Sequence, residues 1–212
     1  MNRIVDILDA MTVPGRLVEP LENGDLRCLA CAHRCLIHPG KRGICQVRFN
    51  RDGELRVPWG YVAGLQSDPV EKKPFNHLLP GSDALTFGML GCDFHCAFCQ
   101  NWISSQVLRD PAAGIDAYYL KKITPEQMVA TARRAGADLV VSSYNEPLIT
   151  SEWAIDIFKL VTEAGLRCAY VSNGNATPEV LHALRPYLTA YKIDLKCMNN
   201  AHYRQLLPLI PI

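Results

Sequence analysis

Several things are missing from this sequence, and each absence removes a class of protein. Its 212 residues hold no apolar run long enough to cross a bilayer as a helix. Charge of one sign is missing too. Lys and Arg total 22 against 21 Asp and Glu, a net of +1, which leaves no electrostatic footprint for nucleic acid or an anionic membrane. The first residues, Met1-Asn2-Arg3-Ile4-Val5-Asp6-Ile7-Leu8-Asp9, carry acids among the apolar positions and no cleavage signature, so they do not read as a secretory leader. These absences predict a cytoplasmic protein. Hydrophobic content of 49% is that of a globular chain and argues against disorder.

Cysteine, by contrast, is abundant. Nine occur, an odd count, and most fall in two tight groups whose close spacings suggest metal rather than disulfides. Cys168 and Cys197 stand alone and read as core or spacer residues. The chain is organised around Gly91-Cys92-Asp93-Phe94-His95-Cys96-Ala97-Phe98-Cys99-Gln100-Asn101. Thiolates are soft ligands that select iron–sulfur clusters, zinc or copper(I). A cubane iron–sulfur cluster normally takes four cysteines. Three from one loop leave an open position, the mark of a catalytic site. The same spacing would also fit one face of a buried helix. The strand-like run Ala84-Leu85-Thr86-Phe87-Gly88-Met89-Leu90 just before Gly91 favours ligation. It puts the cysteines at the carboxyl end of a strand, where α/β proteins carry their sites.

The second group is Cys28, Cys31, Cys35 and Cys45, spaced Cys-x2-Cys-x3-Cys-x9-Cys. Four thiolates form a closed set that suits structural zinc or a full iron–sulfur cluster, and spacing does not choose between them. Around it, residues 3–11 have the apolar spacing of a short helix ended by Pro14-Gly15. Residues 48–57 read as a hairpin turning at Asn50-Arg51-Asp52-Gly53. Residues 60–83, rich in turn formers and poor in pattern, read as a solvated linker. The predicted organisation is a Cys-rich N-terminal module with its linker over 1–80 and an α/β domain over 81–212.

Strand–helix alternation begins at residue 84. Strands are predicted over 84–90, 139–142, 167–172 and 190–195. Helices are predicted over 124–135, 151–164 and from 201 to 207. A further helix opens at Thr177-Pro178-Glu179, which repeats the N-terminal signals of Thr124-Pro125-Glu126. Repeated βα units imply a parallel sheet, open or curled toward a barrel. The long loop 101–123 suggests a lid or insertion. All four strands end in polar residues: the cysteine loop, Ser142-Ser143-Tyr144-Asn145-Glu146-Pro147, Ser172-Asn173-Gly174-Asn175 and Asp194-Leu195-Lys196. Four polar ends at one mouth predict a binding site.

The loop Cys-x3-Cys-x2-Cys, with aromatic Phe98 before its last cysteine, resembles the cluster loop of radical S-adenosylmethionine (SAM) enzymes. Tyr144-Asn145-Glu146-Pro147 stands where that family has Gly-Gly-Glu-Pro, whose glutamate holds the SAM amino group. Ser172-Asn173-Gly174 resembles the segment near the SAM ribose and carboxylate. Ile193-Asp194-Leu195-Lys196 resembles the Asp-Leu-Lys segment of pyruvate formate-lyase activating enzyme. The N-terminal cysteines, Glu71-Lys72-Lys73-Pro74, His77 and Pro80-Gly81 look most like the AmmeMemoRadiSam branch, and the likeness runs from about Cys28 to Tyr203.

The resemblance implies an α/β partial (β/α) barrel. It also implies a 4Fe-4S cluster on Cys92, Cys96 and Cys99, with SAM held by Phe98, Asn145, Glu146, Ser172, Asn173, Asp194 and Lys196. It further implies an electron donor such as a flavodoxin or ferredoxin, and hydrogen abstraction from a protein or a small molecule by a 5′-deoxyadenosyl radical. It singles out no catalytic side chain of the chain itself. Such barrels usually have six strands, and the end Leu206-Leu207-Pro208-Leu209-Ile210-Pro211-Ile212 is apolar and broken by proline. The expectation is therefore a truncated barrel. A non-enzymatic iron–sulfur electron carrier and a zinc-binding module are the competing readings.

Overall fold

A computed structural model describes residues 4–110, 120–201 and 203. Its centre is a five-stranded sheet formed by β1 (Gly64–Pro69), β2 (Asp83–Gly88), β3 (Ala137–Ser142), β4 (Arg167–Ser172) and β5 (Ala190–Ile193). The order across the sheet is β5-β4-β3-β2-β1. Strands β2 to β5 are parallel, with Val140 opposite Leu85 and Cys168, while β1 runs antiparallel to β2. The inner strands are near-continuous apolar runs because both faces are covered. The helices that return the chain are α1 (Trp102–Gln106), α2 (Pro125–Arg134), α3 (Ser151–Glu163) and α4 (Pro178–Leu184).

The cap signals read from sequence are present in the fold. The Thr124 side chain accepts from the Gln127 amide while the Gln127 side chain accepts from the Thr124 amide, a capping box of roughly 1 kcal/mol. Thr177 caps α4 in the same way at Val180. The hairpin also forms, Phe49–Arg51 against Glu54–Pro58.

Three expectations are corrected. The supposed linker over 60–83 contains β1, which extends the main sheet from Gly64 to Pro69. Its sequence, Gly-Leu-Gln-Ser-Asp-Pro, shows no apolar alternation because it is an edge strand held by the ladder with β2. Lys73 is not solvated but buried, paired with Asp68. The first helix ends at Ala10, and Pro14 lies in a short strand, Thr12–Pro14, paired with Glu54–Pro58. The loop 101–123 begins as helix α1 and ends in a strand, Lys121–Lys122, paired with Tyr61–Val62. The lid reading falls on residues 111–119, outside the described residues. So do most of the 201–207 helix and the apolar tail.

One hydrophobic cluster runs from Leu8, Leu26 and Ile37 to Trp153, Phe158 and Leu184, so the N-terminal segment shares its core with the sheet domain. A buried ion pair crosses the same seam. Arg48 Nη1 lies 2.7 Å from Glu152 Oε2 on α3, and both side chains are only 1% exposed. Arg48 Nη1 also donates to the Ile149 carbonyl, and the Arg16 and Leu17 amides donate to Glu152 Oε1. Burial alone would raise the Glu152 carboxyl, but the Arg48 guanidinium outweighs it and holds the group below the usual range. The stabilisation is therefore complete above the ordinary carboxylate range and is lost as pH falls through the lower folded value. Glu152→Ala leaves a buried guanidinium uncompensated, and chemical denaturation should show a loss of about 3–5 kcal/mol at neutral pH. A loss below about 1 kcal/mol would contradict the pair's role.

Candidate active site

The four parallel strands end at one mouth. After β2 the chain turns at Gly91, whose φ is +90°. A Cβ there would stand 2.8 Å from Val47 Cγ1 and 3.0 Å from the Cys45 carbonyl oxygen. Only glycine allows the cysteine loop to leave the strand in this direction against the N-terminal segment. The loop is then pinned from below. Arg109 donates to the carbonyls of Cys92 (2.8 Å), Phe94 (3.0 Å) and Ile44. The buried Gln106 side chain donates to the Phe94 carbonyl, and Ser105 Oγ lies 3.3 Å from Cys99 Sγ.

Asp93 is 1% exposed. Its two oxygens accept from the side-chain amides of Asn173 (2.8 Å) and Asn175 (2.9 Å), in the loop after β4. Asn173 in turn presents its backbone amide to Glu146 Oε2 at 2.8 Å. Glu146 Oε1 accepts from Ser172 Oγ at 2.7 Å and from the Leu148 amide at 3.0 Å. Three of the roughly four acceptor positions on this carboxylate are thus filled by protein, leaving one on Oε2. Burial first, and the Asp93 carboxylate second, push the Glu146 carboxyl up from its ordinary value. A bound cation would therefore be favoured beside it.

Tyr144 departs from the glycine of the resembled motif, yet its φ is +70°, a backbone region that bulky residues rarely adopt. Its ring is held in place, with Lys73 Nζ 3.2 Å from its hydroxyl and 5.0 Å from its ring centre. A Cβ at Gly88 would lie 2.7 Å from the Ser143 carbonyl oxygen, so that glycine lets the turn lie close on β2. Asn145 Oδ1 accepts from the Met89 amide, tying the turn to the end of the same strand. At the β5 end, Lys192 and Lys196 flank Asp194. Partial burial pushes its carboxyl up, but the two ammonium groups outweigh that and hold it low.

These ends enclose a cavity of about 290 Å³. Cys92, Cys96 and Cys99 line it, as do Phe98, Asn145, Glu146, Ser172, Asn173, Asp194 and Lys196, so all ten residues named for this site from sequence share one space. Cys92, Cys96 and Cys99 are half-buried free thiols. Burial raises Cys92 and Cys96, the latter to about 11. Among the described residues no three His, Cys, Asp or Glu side chains are close enough to hold a single metal ion. A cubane spreads its cysteines over separate irons, so three soft donors around a cavity, with no fourth thiol lining it, fit that group. Cys28, Cys31, Cys35 and Cys45 lie elsewhere, all buried and all free. Sequence reading did not single out Asp93, Ser105 or Arg109. A charge inside the cysteine loop could have flagged Asp93, whereas nothing local marks Arg109.

A parallel α/β sheet with a soft-donor loop and a carboxylate around one strand-end cavity is a cofactor-binding architecture. The profile of the radical SAM superfamily matches residues 87–209, and the chain belongs to that superfamily. Two proteins of Methanocaldococcus jannaschii are similar to it. Uncharacterized protein MJ0808 is 34% identical over 87% of this chain and 53% of its own length. Uncharacterized protein MJ0674 is 26% identical over 86% of this chain and 49% of its own. The chain thus spans about half the length of the relatives it matches. Among solved structures, QueE from Escherichia coli superposes with a TM-score of 0.41 at 19% identity, over 55% of this chain and 53% of that one. No helix among the described residues is long and apolar enough to cross a membrane.

Asp93→Ala leaves two carboxamides without their acceptor. It should lower stability in urea by about 3 kcal/mol, as expected for two hydrogen bonds to a buried charge. A variant as stable as the parent would remove Asp93 as the link between the cysteine loop and β4.

Proposed function

We propose that the chain is the SAM-binding part of a radical SAM enzyme. In this reading Cys92, Cys96 and Cys99 hold a 4Fe-4S cluster, and SAM fills the remaining cavity. The observation that carries it is the shared cavity: three thiols with no fourth, facing a nearly saturated carboxylate that has one acceptor position left. A cluster held by Cys92, Cys96 and Cys99 would supply the single electron for reductive cleavage of SAM. The chain's own residues bind and orient. Glu146 receives the SAM ammonium, and its carboxylate is kept in place by Ser172, Asn173 and Leu148. Asn145 fixes the turn. Lys196, with Asp194, offers a cation toward the thiol side of the cavity, and Phe98 supplies an apolar wall. Placing these groups on strand ends keeps the cofactor oriented and screened from water.

Within the superfamily we assign the chain to the AmmeMemoRadiSam branch, similar to pyruvate formate-lyase activating enzymes. The support is the Cys-rich N-terminal segment together with the Asp194-Leu195-Lys196 end of β5. Hydrogen abstraction from a protein or small-molecule substrate, and a flavodoxin or ferredoxin as electron donor, belong to this proposal. So does a second metal site at Cys28, Cys31, Cys35 and Cys45, as zinc or a second cluster. Its support is a set of N–H groups aimed at sulfur, Arg48 Nε to Cys28 at 3.2 Å and the Ile44 amide to Cys35 at 3.5 Å.

Anaerobic reconstitution with iron and sulfide, followed by SAM and dithionite, should yield 5′-deoxyadenosine. A reconstituted chain that forms none would sink the reading. Cys96→Ala should abolish both product and the SAM-responsive cluster signal, and Cys168→Ala, in the core beneath α3, should keep both. Equal losses would contradict the ligand assignment. Glu146→Gln should weaken SAM binding about tenfold to hundredfold, the worth of a charge-assisted hydrogen bond, read as KM for SAM with the cluster signal retained.

A further inference from the structure

The sheet face turned away from the helices has a small core of its own. Val70 and Phe75 pack there on Ala84, Leu139, Val141 and Ala169. Val70 opens the turn that follows β1, and its amide donates to the Ser82 carbonyl at 3.0 Å. Lys73 leaves that turn only 8% exposed. Its Nζ lies 3.1 Å from Asp68 Oδ2, and Asp68 stands opposite Ala84 in the ladder. Side chains alternate along a strand, so Gly64 and its ladder partner Gly88 lie on this same face, nearer the carboxyl end of β2. Tyr144 reaches the face from that end. A Cβ at Gly88 would stand 2.9 Å from Tyr144 Cβ, and one at Gly64 would stand 3.3 Å from Tyr144 Cδ2. The Tyr144 hydroxyl accepts from Lys73 Nζ at 3.2 Å. The ring therefore runs along the face from the glycine pair to the Asp68–Lys73 ion pair.

We propose that Asp68, Lys73 and Tyr144 form a clamp that positions Glu146 for the SAM ammonium. This role rests on the reading of the cavity as a radical SAM site and extends it to Asp68 and Lys73, which do not line the cavity. The ground is the backbone at Tyr144. Its φ of +70° is free of strain for glycine but not for a bulky residue. A side chain persists there only where its surroundings fix it. Here the glycine pair makes room for the ring, and the Lys73 ammonium holds its far end, 5.0 Å from the ring centre. Two residues on is Glu146, whose carboxylate has one acceptor position left. A single position serves an ammonium only if the turn that carries it does not rotate. Two ties fasten that turn to β2 and its end, the Ser143 amide on the Phe87 carbonyl at 2.9 Å and Asn145 Oδ1 on the Met89 amide at 3.1 Å. The Tyr144 ring, running on to Lys73, is a third and lies between them. Asp68 completes the clamp by orienting Lys73, and it also pairs with the exposed Lys72 at 2.7 Å. All three are positioning residues.

The test measures SAM binding to the reconstituted, oxidised chain by equilibrium dialysis, and KM and kcat for 5′-deoxyadenosine formation with dithionite. Tyr144→Phe and Lys73→Met should each raise the SAM Kd about threefold to tenfold, less than a direct charged hydrogen bond is worth because both act through the turn. KM should rise with it and kcat should not change. The double variant should bind no more weakly than the weaker single one, because either change breaks the same link. SAM carries a net positive charge, so loss of a lysine's field alone would tighten binding, the opposite sign. Lys72→Met, which removes the exposed partner of Asp68, should leave the Kd unchanged. Before SAM is added, hydrogen exchange in the turn 143–148 should quicken in both single variants while β2 and β3 stay as protected as in the parent. Unchanged or tighter binding in either single variant, losses that multiply in the double, an equal loss in Lys72→Met, or a lower kcat at unchanged KM would each overturn the clamp. A parent chain that binds no SAM, with the turn still loosened in both variants, would instead strike the functional reading and leave the clamp standing.

Discussion

The site depends on where the Asp93 carboxylate points. This group is almost wholly buried, one residue past the first thiol of the cysteine loop, and it accepts from two asparagine side chains beyond β4. One of them, Asn173, offers its own amide to Glu146. The chain of bonds therefore runs from the β2 loop to the β4 loop and on to the β3 loop. In a site built from loops, such closed hydrogen-bonding substitutes for the rigidity that ladders give to strands. Three loops that would each wander alone are fixed relative to one another by one carboxylate and the groups it saturates.

The N-terminal segment acts on the same loop from the other side. Arg109, His33 and the close contact at Gly91 clamp the backbone of the cysteine loop, while Arg48 and Glu152 fasten the segment to α3. Arg109 and His33 grip carbonyls of the cysteine loop, not its thiols, and all three of those thiols line the cavity. The arrangement explains why a Cys-rich segment shares its hydrophobic cluster with the sheet instead of standing apart: its contribution to the site is made through packing.

How much was legible varies by element. Both Thr-Pro-Glu helix starts read correctly, because caps are chosen by local hydrogen bonding. The buried strands β3 and β4 read correctly because burial on both faces leaves an apolar run. The edge strand β1 did not. Gly64 to Pro69 is polar, and only its partner β2 makes it a strand. Lys73 looked like a solvated charge in a proline-rich stretch, and its burial against Asp68 and Tyr144 depends on a strand pairing and on a left-handed turn, neither of which a local pattern encodes.

For the site the division is similar. The sequence alone determined which residues gather, because a parallel sheet sends every strand's carboxyl end to the same side, and polar residues at those ends have nowhere else to go. What only tertiary structure decided is who holds whom. Asp93 with two asparagines, Arg109 with carbonyls from both cysteine groups, and Gly91 against Cys45 join residues far apart in sequence. Such partners are selected by how the segments pack, and the residue types alone would have been equally content with water.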